Sequence, residues 1–279
     1  MKKLVTILGI FIIILVSLIL SDFHSKTKST ITYFPPDESI HFSNSNTSLH
    51  LQEKKGSVQW KVSSQTDEPL YLRQDISIVY VNGVLKAIHN KWLEQTDLIT
   101  FQESFKRKNG IWKTITLHHG ESHHTSESIK SIQEMSHDTL YIQGSTSFHT
   151  PSNPSEQAIK KTLEQQLEKD LQAHWDELID HFEINRSEYE IIPFTQLYEY
   201  EEKPFPSLTN EQTRRIMGQL WEGLYKNYLL PIVTRNKPTD TYVPIILLNK
   251  NHNHLLVLYE ANHEKKKLIQ KNLLKLIRF

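Results

Sequence analysis

The sequence predicts an α+β protein with an antiparallel β-rich first half, a helix-and-hairpin second half and one N-terminal transmembrane helix ahead of both. Three observations carry this. Between residues 49 and 148 apolar residues recur at every second position around Asn-Gly turns, the period of a half-buried strand. After Asn153 they recur every third or fourth position, the period of an amphipathic helix. Leu4 to Leu20 is an uncharged run of Leu, Ile, Val and Phe broken only by Thr6, Gly9 and Ser17.

That run follows Lys2 and Lys3. As a helix it reaches about 26 Å, enough for a thin bilayer. The two lysines favour a cytoplasmic N-terminus, which places the rest of the chain outside the cell. No alanine-bearing cleavage site follows, so an uncleaved signal-anchor is expected rather than a cleaved signal peptide. The expected order is a cytoplasmic stub at 1–3, a membrane anchor at 4–20, a stalk at 21–48, a β-rich subdomain at 49–150 and an α+β subdomain at 151–279. The stalk is rich in Ser, Thr, Asn and Lys around Pro35-Pro36, with one short strand near Ile31 to Phe34.

Val58, Trp60 and Val62 alternate with polar neighbours, which predicts the first strand of the β-rich part. Leu70 to Val81 and Val84 to Ile88 flank Asn82-Gly83, a type I′ hairpin signal. Leu98 to Phe105 and Ile111 to Leu117 flank Asn109-Gly110 and predict a second hairpin. A short helix is expected between Glu127 and Met135, and a strand at Leu140 to Gln143.

Asn153-Pro154-Ser155-Glu156 is a helix start, with Asn as N-cap and Pro at the first helical position. Leu163, Leu167, Leu171, Trp175, Leu178 and Phe182 then form one apolar face. Tyr189 to Tyr200 reads as extended. Thr209 to Gln212 is a capping box opening a second helix, which Pro231 should end. Tyr242 to Leu248 and His254 to Glu260 predict a third hairpin, and His263 to Phe279 a closing basic helix.

Composition narrows the function classes. The chain has no cysteine, so disulfides and thiol nucleophiles are excluded. Its formal charge is zero, but residues 264–279 hold six basic residues and one acidic, while residues 22–263 carry a net charge of −7. An acidic body placed outside the cell argues against nucleic acid as a partner. With eight glycines and neither a P-loop nor a Rossmann glycine pattern, phosphate-cradling loops are disfavoured, and no G-x-S-x-G elbow is present.

Four features bear chemistry. His118, His119, Glu121, His123 and His124, with His137 and His149 further on, supply the donors that zinc takes when thiolates are absent. In an extended chain His119, Glu121 and His123 point to one side. The spacing fits no zinc signature, and a solvated polar loop is the simpler reading; a pH sensor is a third. His174, Glu177 and His181, with Asp170, share one face of the first helix and read as its polar flank. Lys265, Lys266, Lys267, Lys271, Lys275 and Arg278 alternate with leucines and isoleucines, a pattern that either packs on the sheet or contacts anionic lipid or wall polymer over residues 265–278. Of the five tryptophans, Trp92 is the expected exposed ring and the others are expected in the core. Together these predict a non-catalytic binding or regulatory module of a bacterial envelope, anchored by residues 4–20 and meeting an envelope protein partner. A metal-dependent hydrolase using His118 to His124 is the alternative.

Overall fold

The computed structural model describes residues 34–125, 128–233, 241–261, 263–271 and 273. The expected anchor and the first part of the expected stalk lie outside these residues. Among the described residues no helix is long and apolar enough to cross a membrane.

The architecture is α+β, with two antiparallel sheets and few helices. The first sheet contains β1 (Phe42–Gln52), β2 (Ser57–Val81), β3 (Val84–Lys106), β4 (Gly110–Thr125), β5 (Ser128–Gln143) and β6 (Thr146–Phe148). The order is β1-β2-β4-β5-β6, and β3 lies along the other edge of β2. Asn82 and Gly83 take positive φ, 52° and 76°, and close β2 onto β3 as a two-residue turn. The expected second hairpin does not form: Asn109 is a bend, Gly110 opens β4, and β3 and β4 flank β2 instead of pairing with each other. Asn82 ties its turn to the start of β4. Its N–H donates to the Ile111 carbonyl at 2.8 Å, and its Oδ1 accepts from Ile111 N at 2.8 Å.

The ladder of β2 and β3 is interrupted between Gln65 and Leu70. Before that break β2 pairs with β1, and after it with β4. The two halves of β2 face each other across a core, in which Val58, Trp60 and Val62 pack with Val79, Val81, Trp112, Leu140 and Ile142. Three expectations are corrected here. Residues 34–48 are not a stalk: Ile40 is buried, and β1 starts at Phe42. Its Ser- and Asn-rich sequence hides a strand because the inward position before Leu49 is Thr47, whose hydroxyl meets those of Thr116 and Ser136 at 2.6 Å. The expected helix at 127–135 is β5, paired residue by residue with β4. The histidine segment is strand, not loop, because β4 runs on to Thr125.

The second sheet has the order β10-β9-β8-β7, made of β7 (Tyr189–Pro193), β8 (Ile245–Asn249), β9 (His254–Ala261) and β10 (Glu264–Lys271). The expected basic helix is therefore strand from Glu264 to Lys271. Ladder pairing with β9 outweighs its local helical pattern. As an edge strand its lysines also discourage pairing with other chains. Only the first part of Tyr189 to Tyr200 is extended; a 3-10 turn at Phe194–Gln196 and a helical turn at Glu199–Glu202 follow.

Helices α1 (Pro154–His181) and α2 (Asn210–Leu224) cover opposite faces of this sheet. Lys265 pairs with Glu177 of α1 at 2.6 Å, and Lys267 lies over the Phe182 ring at its C-cap. Gln270, of opposite parity on β10, bonds to Gln219 of α2. Both N-caps form as expected: Asn153 Oδ1 accepts from Glu156 N, and Thr209 and Gln212 make a reciprocal capping box. Beyond α2 the helix does not stop before Pro231. It widens into a π turn at Tyr225–Leu229 and continues through Leu230–Val233. The carbonyl four residues before Pro231, that of Asn227, accepts instead from the Tyr259 hydroxyl at 2.9 Å.

The other side of α2 meets the first sheet. Trp221 Nε1 approaches Met135 Sδ at 3.3 Å, the hydroxyls of Tyr228 and Tyr80 share a hydrogen bond at 3.2 Å, and Asn90 donates to the Tyr225 hydroxyl at 2.8 Å. Thus α2 lies between the two sheets, with Ile216, Leu220, Trp221 and Leu224 all buried.

Candidate functional site

A cavity of about 510 Å³ opens where three elements meet: the segment Phe34–Phe42, the outer edge of β5 and α2. That volume falls in the range of small-molecule and peptide-anchor pockets. Its apolar wall comes from Phe34, Ile40 and Phe42, from Met135 on β5, and from Met217 and Trp221 on α2. The α2 residues reach it because steps of three and four put Arg214, Met217 and Trp221 on one face. Methionines beside aromatic rings make an adaptable surface.

The polar lining is mostly acidic: Asp37, Glu38, Glu134 and Glu201, with Arg214 and His41 as the basic groups. The Ser39 N–H and hydroxyl both donate to Asp37 Oδ1, and the Ser122 hydroxyl donates to Oδ2. Glu201 accepts from Met135 N at 2.5 Å through one carboxylate oxygen. Loss of hydration pushes its pKa up, to about 8; the Met135 N–H opposes this, while Glu134 and Glu202 add to it. At neutral pH this carboxyl is mostly protonated, a neutral acid that both donates and accepts.

Behind the cavity, between the two layers of the first sheet, lies a buried polar network. Arg73 Nη1 donates to the Asp97 carbonyl at 2.6 Å and to Thr66 Oγ1, Nη2 donates to Ser64 Oγ at 2.6 Å, and Ser64 Oγ donates to Asp75 at 2.7 Å. The guanidinium also stands over the Phe42 ring. Burial lowers the pKa of Arg73, partly offset by Asp75 and Asp97. His118 Nδ1 lies 3.1 Å from Asp75 Oδ2, off the line of a hydrogen bond, and its Nε2 is 2.8 Å from Ser136 Oγ. Acid, imidazole and hydroxyl thus follow in the order of an acyl-transfer relay. Asp75 and His118 are fully buried, and Thr47 on β1 also holds the Ser136 hydroxyl. Neither His118 nor Ser136 lines the cavity; the network joins the two layers, with Ser136 half-buried at its end.

The expected metal ligands divide between the two faces of β4. His118 belongs to the network just described. His119, Glu121 and His123 share the other face, as an extended chain requires. Glu121 stands between the two rings, 3.3 Å from His119 Nε2 and 3.9 Å from His123 Nε2. His123 also stacks on Tyr71. The His124 side chain lies outside the described residues. His137 stacks on Tyr198, and His149 Nδ1 meets Asp138 at 2.9 Å, so neither joins the cluster. Among the described residues no group of three or more His, Asp or Glu side chains is placed to hold a metal ion.

The row on α1 is likewise dispersed: His174 stacks on Tyr242, Glu177 pairs with Lys265, and His181 meets the edge of Phe182. Trp92 is 37% exposed, while Trp60, Trp112, Trp175 and Trp221 are core. The sequence reading missed Arg73, Ser136, Glu201 and Arg214. The detectable signal for the first was a charged pair, Arg73 and Asp75, inside an otherwise β-prone run. Glu201 gave none, since it reaches β5 only through the turn at 199–202. No family model, curated protein or solved structure matches this chain.

Proposed function

We propose that this protein is a membrane-tethered binding module of the bacterial cell envelope, anchored by residues 4–20 with its folded part outside the cell. Its ligand enters the cavity between residues 34–42, β5 and α2, and no chemistry is done on it. The observation that carries this is the convergence of an apolar wall, a neutral Glu201 carboxyl and the Arg214 guanidinium on one 510 Å³ space. Among the described residues the nucleophile–base arrangement of Ser136 and His118 lies outside that cavity, with His118 fully buried and Ser136 half-buried. The basic residues 265–278 are a second contact, toward anionic lipid or wall polymer, and an envelope protein is the expected partner.

The test is photo-crosslinking in intact cells from a benzophenone amino acid placed at Met217. Envelope-specific adducts that disappear when the exposed cavity residue Arg214 is changed to Ala support the reading. A domain protected from protease added to intact cells would overturn it.

A zinc-dependent hydrolase is the second reading, favoured by Glu121 standing between His119 and His123. It requires these side chains to close around an ion. Zinc titration by calorimetry checks it: stoichiometric submicromolar binding lost in the His119→Ala/His123→Ala variant would establish it, and equal weak binding in both proteins would remove it.

A further inference from the structure

We infer that the ligand is an extended peptide bearing a basic side chain, which adds as a strand to the outer edge of β5 beside residues 132–138. This rests on the cavity being the ligand site. The edge already accepts one extended segment through a single bridge. Ser131 N donates to the Pro35 carbonyl at 3.0 Å, and Asp37 N donates to the Ser131 carbonyl at 3.0 Å, a parallel bridge. The chain then turns away, held by the bonds from Ser39 to Asp37. From Ile132 to Leu140 no strand pairs with this edge among the described residues; pairing resumes at Tyr141, opposite Phe148.

The N–H groups of Ser131 and Met135 both point outward, as their partners show. The period of two directs those of Gln133 and His137 the same way. Glu201 places a carboxylate oxygen on Met135 N, where the carbonyl of an added strand would stand. It is a stand-in acceptor on a short helical turn, and a peptide carbonyl displaces it without leaving Met135 unsatisfied. The cavity beneath takes an alternate apolar side chain of the peptide between Met135, Met217 and Trp221. The facing charges choose the rest. Asp37, Glu38 and Glu134 stand against Arg214 and His41, which favours a lysine or arginine side chain over an acidic one.

The experiment uses the full chain in detergent micelles and four probes carrying benzophenone. They are a capped Val-Lys-Val-Lys-Val peptide, its Glu-for-Lys analogue, its backbone N-methylated form and a decanoyl amide. The expected result is labelling of β5 and α2 by the lysine peptide, weakened about tenfold in the glutamate analogue and lost on N-methylation. A surface variant that keeps the fold, Glu134→Lys/Glu38→Lys, should narrow or reverse the charge preference. Equal labelling by the N-methylated peptide, or by the glutamate analogue, overturns the inference. Labelling by the decanoyl amide alone also overturns it while leaving the cavity as a ligand site. Absence of labelling by every probe removes both readings.

Discussion

Arg73 is the residue on which the two layers of the first sheet depend most. Its guanidinium is fully buried and joins the Asp97 carbonyl, Thr66 and, through Ser64, Asp75. Removing one partner of a buried charged network leaves the others uncompensated, so Arg73→Met should cost about 3–5 kcal/mol in urea unfolding. Gly120 is tight for another reason. A methyl group there would stand 2.3 Å from Leu70 Cδ1 and 3.2 Å from Arg73 Cδ. Since both neighbours are buried, Gly120→Ala should cost about 1–3 kcal/mol by the same measurement. Glu201 supplies a pH signature. Its folded pKa, about 8, lies above the ordinary 4.5, so the folded state holds the proton more tightly than the unfolded state. Stability from this group is therefore greatest at low pH and falls as pH rises from about 4.5 to about 8, then levels. Glu201→Gln should flatten that part of a stability–pH curve while keeping an acceptor for Met135 N. A curve of unchanged slope would show that the carboxyl titrates normally.

At the scale of elements, what could be read from the sequence depended on whether a segment's period was written in apolar residues. Helix α1 was legible because Leu167, Leu171, Trp175 and Leu178 are buried at its own spacing. Strand β1 was not, because its inward positions include Thr47, and a hydroxyl that meets other hydroxyls leaves no hydrophobic trace. β10 was misread for the opposite reason. Its lysines, with Leu268 and Ile269, fit a helix locally, and only the ladder with β9 decides otherwise. The same limit hid the site. His119, Glu121 and His123 could be placed on one face from alternation alone, whereas Glu201 comes beside β5 by a contact 66 residues distant. Pro231 shows how a local rule is satisfied by a remote residue. The helix passes through it because the π turn makes room and Tyr259 takes the Asn227 carbonyl. Tyr259→Phe removes that donor next to an exposed turn, and should cost about 1 kcal/mol. It should also raise hydrogen exchange across residues 225–233, which is the readout that separates it from a general loss of packing.

For the whole molecule, the change of pattern near Thr150 suggests a divisible chain, but the packing of α2 argues for one cooperative unit. One side of α2 meets the first sheet through Trp221, continued by Tyr225 and Tyr228 of the π turn, and the other meets β10 through Gln219. The first sheet buries Ile76, Ile78, Tyr80 and Met135, residues of the parity that faces α2, and without the second half this face would be open to water. Neither half then holds a complete core of its own. Heating or urea should therefore unfold the two sheets and α2 in a single transition, with tryptophan fluorescence and far-ultraviolet circular dichroism coincident. Trp221→Ala offers the sharper form of the same prediction. It removes a fully buried ring from the side of α2 that meets β5, at a cost of about 3–5 kcal/mol. If the halves are coupled, both probes shift together to lower denaturant by that amount. If they are separable, residues of the second sheet should keep their protection from hydrogen exchange while β5 loses its own, and the cavity would then be a cleft between two independent bodies rather than a site built into one.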